Sequence, residues 1–122
     1  MSQIKTFEAM LERGEDGEML RFTLGSACLA EERLDEAVTH LQRAVEFKPD
    51  YSAAWKQLGR ALAANDEPVA ALAAFKNGLR AAEANGDKQT FKEITVFSRR
   101  VERLLHGGRK ENEPEEQEPA DG

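Results

Sequence analysis

Few side chains in this 122-residue chain are suited to chemistry, because it contains one cysteine and two histidines. Cys28 has no second cysteine with which to form an internal disulfide and fits a small core residue better than a nucleophile. His40 and His106 have no cysteine or paired carboxylate nearby at the spacing of a metal site. The sequence also contains no Gly-rich phosphate loop and no G-x-S-x-G nucleophile motif. We therefore expect no catalytic, cofactor-binding or metal-binding residues.

Recognition of an anion is the chemistry that Lys56 and Arg60 suggest. The two residues are four positions apart, so on a helix they project from the same face. Together they could hold a carboxylate or an acidic segment, and the Arg60 guanidinium is suited to two parallel hydrogen bonds. The alternative is that both are solvated surface charges.

A sequence repeat must position these residues, since the chain resembles itself at a spacing of 34 residues. Aligning residues 18–51 with residues 52–85 gives five identical pairs: Leu24 with Leu58, Gly25 with Gly59, Ala27 with Ala61, Ala30 with Ala64, and Ala37 with Ala71. A fixed period of this length indicates stacked structural repeats.

Composition and apolar spacing predict an all-α chain. Ala, Leu, Glu, Lys and Arg are abundant, and runs of β-branched residues are nearly absent. Apolar residues recur at helical spacing over about 3–13, 18–30, 34–47, 53–64 and 68–84, and in a helix capped by Asp87 that extends to about residue 105. The short turns between these segments favour antiparallel neighbours. The predicted architecture is an antiparallel helix-hairpin repeat stack.

Gly25 and Gly59 lie in the middle of predicted helices. A glycine at such a position costs about 1 kcal/mol relative to alanine. We expect the reason to be close approach of the partner helix, which a side chain would prevent.

On these residues the chain resembles the tetratricopeptide repeat (TPR) family. The first repeat fills the family's signature places with Leu24, Gly25, Cys28, Ala37, Leu41, Ala44 and Pro49, and the second with Trp55, Leu58, Gly59, Leu62, Ala71 and Phe75. Arg21 stands where the family prefers an aromatic residue, and Glu83 where Pro49 would predict a proline.

The resemblance implies a TPR-like α-solenoid with five parts. These are an N-terminal helix and turn forming a degenerate half-repeat (1–17), repeat 1 (18–51), repeat 2 (52–85), a C-terminal capping helix (86–106) and an acidic tail (107–122). The tail is rich in Gly, Pro, Glu and Gln and is predicted to be disordered. It either solubilises the domain or weakly covers its binding groove.

The resemblance also implies a concave groove that holds a peptide or a partner protein. The expected lining residues are Met19, Phe22, Ser26 and Leu29 from repeat 1, Lys56 and Arg60 from repeat 2, and Thr90, Ile94 and Phe97 from the capping helix. Helical spacing places 19, 22, 26 and 29 on one face. For Met19, Phe22 and Leu29 the alternative is packing against the N-terminal helix.

Charge and hydropathy exclude several classes of partner. The net charge is −6, and residues 107–122 hold six acids against two bases. The remainder is near neutral, which argues against a nucleic-acid binder, whose affinity depends on neutralising phosphates. There is neither an apolar leader nor an apolar run long enough to cross a membrane, so a cytoplasmic protein is expected.

Two hypotheses for function follow. The first is a non-catalytic protein–protein interaction module that binds a protein or peptide, possibly an acidic one, in the groove. The second is a self-associating structural or assembly protein, such as a weak homodimer in contact through Phe22 or Phe97, because a two-repeat stack has few internal interfaces.

Overall fold

A computed structural model describes residues 3–107 of the chain, which contain helices and no strand. The helices are α1 (Gln3–Glu12), α2 (Glu18–Ala30), α3 (Leu34–Phe47), α4 (Ser52–Ala64), α5 (Pro68–Asn85) and α6 (Lys88–Leu105). The predicted all-α repeat stack is confirmed. The acidic tail lies outside the described residues except for Gly107.

Two helical hairpins form the body of the stack. In these, α2 packs against α3 and α4 packs against α5, while α1 packs on α2 and α6 packs on α5. In addition, α4 contacts both α2 and α6. The helices α2, α4 and α6 therefore form one row, here called the inner row. Within residues 3–107, no helix combines the length and the apolar character needed to cross a bilayer.

Each hairpin is held by a glycine against a large side chain. A Cβ atom added to Gly25 would lie 2.5 Å from Leu41 Cγ, and one added to Gly59 would overlap the ring of Phe75. Leu41 is fully buried, and Phe75 is only 1% exposed. The predicted close approach of the partner helix at Gly25 is confirmed, and Gly59 repeats it in the second hairpin.

A third glycine sets the position of α6. A Cβ atom added to Gly78 of α5 would lie 2.8 Å from Ile94 Cδ1 and 2.9 Å from Trp55 Cβ. Helices α4 and α6 therefore meet over a position on α5 that has no side chain. The start of α6 is capped as predicted, since the Asp87 carboxylate accepts a hydrogen bond from the Thr90 backbone N–H at 3.1 Å.

Five helices are followed by a residue with a left-handed φ, and two of these residues are not glycine. The residues are Gly14, Glu32, Asp66, Gly86 and Gly107, with φ of 88°, 60°, 63°, 70° and 60°. After α2, the Glu32 N–H donates to the Leu29 carbonyl (3.0 Å) and the Arg33 N–H donates to the Cys28 carbonyl (2.8 Å). This is the Schellman pattern of helix termination. Asp66 and the residue after it make the same pair of bonds at the end of α4.

Gly59→Ala should lower the free energy of unfolding by up to about 2 kcal/mol. Overpacking against the buried Phe75 ring costs about 1 to 3 kcal/mol, and helix propensity returns about 1 kcal/mol. Urea denaturation measures the change. In a Phe75→Leu background the cost should shrink, because the smaller side chain leaves room for the methyl group. A Gly59→Ala protein more stable than the wild type would contradict the packing role.

Glu32→Gly should raise the free energy of unfolding by about 1 kcal/mol, because glycine has no Cβ to clash in the left-handed region. Glu31→Gly is the matched control, since Glu31 has φ −95° and gains nothing from glycine. The Glu31→Gly variant should be less stable than the wild type or equally stable. Equal changes in melting temperature for the two variants would argue against strain at Glu32.

Candidate functional site

A cleft of about 500 Å³ opens along the inner row between α2 and α4. Its lining comes from the second half of α2, the middle and end of α4, the turn after α2 and the start of α3, and consists of Ser26, Leu29, Ala30, Glu32, Leu34, Gln57, Arg60 and Ala64. Leucine and alanine side chains give it apolar walls, and Ser26, Gln57 and Arg60 add polar groups. The cleft therefore offers both an apolar surface and hydrogen-bonding partners.

A chain of hydrogen bonds crosses the cleft wall from α2 to α4. Gln57 Nε2 donates to Ser26 Oγ at 3.2 Å, and Arg60 Nη1 donates to Gln57 Oε1 at 3.0 Å. Gln57 thereby joins Ser26 to Arg60 and fixes its own amide orientation. These bonds use one nitrogen of the Arg60 guanidinium and leave its other N–H donors for a ligand.

The Arg60 side chain also reaches α6. Its Cζ lies 4.8 Å from the centroid of the Phe97 ring, and Arg100 Cζ lies 5.6 Å from the same centroid. The Phe97 ring is stacked with that of Phe75, with the centroids 6.3 Å apart and the planes 13° apart. Two cations thus share one aromatic ring at the α4–α6 junction, and the buried Phe75 ring fixes that ring in place.

Three of the nine predicted groove residues, Ser26, Leu29 and Arg60, line the cleft. Met19 is 70% exposed but does not line it. Phe22 is half-buried, and its ring centroid is 5.0 Å from that of Tyr51. Phe97 is also half-buried. Self-association through Phe22 or Phe97 stays a prediction, and both rings already have aromatic neighbours within the chain.

The expectation for Lys56 needs correction. Its Nζ donates to Glu93 Oε1 at 2.6 Å, so its charge is matched by a carboxylate of α6 rather than shared with Arg60. This hydrogen bond is the main reason that the pKa of the Glu93 carboxyl is lowered. Glu93 therefore stays ionised at neutral pH, and the pair tethers α4 to α6.

Thr90 and Ile94 also need correction, because both are buried. Ile94 has no exposed surface and Thr90 is 7% exposed. The physical reason is Gly78: the missing side chain on α5 makes room for Ile94, and this turns that face of α6 into the core. Neither side chain is available to a ligand in a groove.

Sequence reasoning missed Gln57, Leu34 and Arg100. Gln57 is three residues before Arg60, and Arg100 is three residues after Phe97, so helical spacing could have joined each pair. Leu34 gave no such signal, because its place in the cleft depends on how the turn after α2 folds.

Cys28 and His40 both lie in surroundings that suit a structural role. Cys28 is fully buried, and burial raises the pKa of its thiol, so it stays protonated. His40 Nδ1 lies 3.0 Å from Arg21 Nη1 and accepts its hydrogen bond, since a guanidinium only donates. Arg21 also pairs with the Asp16 carboxylate at 2.8 Å and 3.0 Å. Within residues 3–107, no three His, Cys, Asp or Glu side chains group so that they could hold a metal ion.

Comparisons with known proteins cover nearly the whole stack. A family model described as "TPR repeat" matches residues 25–66. The TPR repeat-containing protein PA0015 of Pseudomonas aeruginosa is 45% identical over 100 residues, which are 82% of this chain and 95% of that protein. The solution structure of protein BPP2914 from Bordetella parapertussis is similar with a TM-score of 0.77 and 37% identity, covering 95% of this chain and 99% of that chain. The likeness therefore extends well beyond a single repeat.

Acidification should destabilise the protein through His40. Burial, and next the positive charge of Arg21, lower the pKa of His40 below its ordinary value of 6.5 in the folded chain. The unfolded chain therefore takes up a proton at higher pH than the folded chain. Stability should fall as the pH drops from about 6.5 to the folded-state pKa, and this group should have no effect above that window.

The His40→Gln variant isolates this contribution, because glutamine is neutral and its side-chain oxygen can accept the Arg21 hydrogen bond. Urea unfolding of both proteins across the window should show the wild type losing more stability than the variant as pH falls. An NMR titration of the His40 imidazole with a midpoint above 6.5 would contradict the depressed pKa.

Proposed function

Because the chain belongs to the tetratricopeptide repeat family, we propose that it is a non-catalytic interaction module that binds a peptide segment of a partner protein in the cleft between α2 and α4. TPR repeats generally mediate protein–protein interactions. The observation that carries the proposal is the cleft itself, which places the exposed Arg60 guanidinium beside apolar walls.

The chemistry of the cleft suits a peptide. Its volume of about 500 Å³ falls within the range of about 300 to 1,000 Å³ common for ligand pockets. Leu29 and Leu34 offer apolar surface to a side chain of the peptide, whereas Ser26 and Gln57 offer hydrogen bonds to its backbone. Arg60 forms no ion pair within residues 3–107, so its charge is available to a carboxylate.

Among residues 3–107, the cleft lining does not combine the groups that a catalytic role would need. Within that described lining, Ser26 supplies the one hydroxyl, its Oγ accepts a hydrogen bond from the Gln57 amide, and no histidine is present to act as a base. The buried Cys28 thiol and the half-buried His40 ring, which bonds to Arg21, are not part of the cleft lining. These observations support binding over catalysis as the function.

Selection from a random peptide library displayed on phage tests this proposal directly. Full-length protein should enrich a set of related peptides, and NMR chemical-shift changes on binding should be largest for backbone amides of the cleft. Arg60→Glu should weaken the selected peptides by about tenfold or more, since it replaces an attraction with a repulsion.

Arg80→Glu is the matched control, because Arg80 is an exposed arginine on α5 outside the cleft. It makes the same change in net charge and should leave the affinity unchanged. If both variants lost the same affinity for the peptides, the loss would be due to the change in net charge and not to the position of Arg60. Shift changes that miss the cleft, or a library that yields no binders, would overturn the proposal.

A further inference from the structure

The arginine pair around Phe97 extends the recognition surface from α4 to α6. Four other arginines, Arg13, Arg21, Arg33 and Arg43, each pair with a carboxylate of the chain. Arg60 and Arg100 are both exposed, and neither forms an ion pair within the part of the chain that the structure describes. The pair therefore presents two unneutralised charges at one place.

The position of these charges favours an anion. Their contacts with one ring bring the two guanidinium groups within about one Debye length, roughly 10 Å at 0.1 M salt, so they repel each other. A ligand that places negative charge beside both groups relieves this repulsion and gains charge-assisted hydrogen bonds. Phe97, stacked with Phe75, holds both cations in place before the ligand arrives.

Each arginine also borders a cleft. Arg60 lines the cleft described above, and Arg100 lines a second cleft of about 420 Å³ together with Arg103, Leu104 and Gly107. Leu104 is 75% exposed, so the second cleft offers apolar surface to a ligand. The two arginines that contact the Phe97 ring therefore each stand beside apolar surface.

We infer that this surface binds a peptide segment that carries two carboxylates at its centre and an apolar side chain on each flank. The carboxylates bind Arg60 and Arg100, which both contact the Phe97 ring, and the apolar side chains occupy the two clefts. This inference rests on the proposed function and specifies the chemistry of the partner.

Glu32 determines where the acidic part of the partner lies. It lines the first cleft, so a carboxylate placed beside it in that cleft would meet a like charge. An apolar side chain between Leu29 and Leu34 avoids this repulsion. The negative charge of the partner is therefore directed to the arginine pair.

The chain's own acidic tail fits this surface only in part. Residues 108–122 include six acids, and their apolar side chains are limited to Pro114, Pro119 and Ala120. The tail matches the two arginines in charge and offers nothing of the size of leucine for the clefts. A partner with flanking apolar residues satisfies both features of the surface.

Fluorescence anisotropy with synthetic peptides tests the inference on the full-length protein. The probe is a fluorescein-labelled peptide with two adjacent glutamates at its centre and a leucine on each flank, and its matched control has glutamine in place of both glutamates. The glutamate peptide should bind about tenfold more tightly at low salt, and the difference should narrow as salt rises.

Arg60→Gln and Arg100→Gln should each weaken the glutamate peptide by about three- to tenfold and leave the glutamine peptide nearly unchanged. Arg80→Gln is the control for net charge and should bind both peptides as the wild type does. Circular dichroism spectra should show that all three variants keep their helical content, since each changes an exposed side chain.

Three results would overturn the inference. These are equal affinity for the glutamate and glutamine peptides, no effect of Arg100→Gln, or a peptide of residues 108–122 that binds at least as tightly as the leucine-flanked probe. The last result would make the tail the occupant of the surface. If library selection still yields peptides that bind the first cleft, the proposed function survives any of these results.

Discussion

The contact of a glycine on one helix with a large side chain on the next is the constraint on which the other features of this structure depend. Gly25 lies under Leu41, and Gly59 lies under Phe75. Because neither glycine has a Cβ, the two helices of each hairpin approach until a buried side chain fills the space above the backbone. The repeat spacing of 34 residues places the same contact in both hairpins, so they share one internal geometry.

This packing positions the polar and charged side chains of the inner row. Gly78 plays the same part for the next helix, because its missing side chain leaves room for Ile94 and so buries one face of α6. Phe97 and Arg100 then lie beside α4. Arg60 then reaches Phe97 from α4, and Gln57 connects Arg60 to Ser26 of α2. The apolar core thus aligns polar side chains from three helices on one surface, although they are distant in sequence.

Polar bonds between successive turns keep the hairpins in register. Asn65 Nδ2 donates to Asp35 Oδ1 at 3.0 Å, and Asn85 Nδ2 donates to the Asp50 carbonyl at 2.8 Å. Ser52 Oγ donates to Asp87 Oδ2 at 3.0 Å. These bonds join residues about one repeat apart, so they act between hairpins, whereas the glycine contacts at Gly25 and Gly59 act within them.

The sequence by itself determined the all-α repeat stack, the helix positions to within about one turn, and the close approach at Gly25, because periodicity and local propensity are carried by neighbouring residues. Only the tertiary structure decided which side chains are available for binding. The family resemblance implied that Thr90, Ile94 and Phe97 share a groove, but the missing Cβ of Gly78 gives Ile94 a place in the core, whereas Phe97 is only half-buried. The pairing of Lys56 with Glu93 could not be predicted from the sequence either, because it depends on how closely α4 and α6 pack and not on any local pattern.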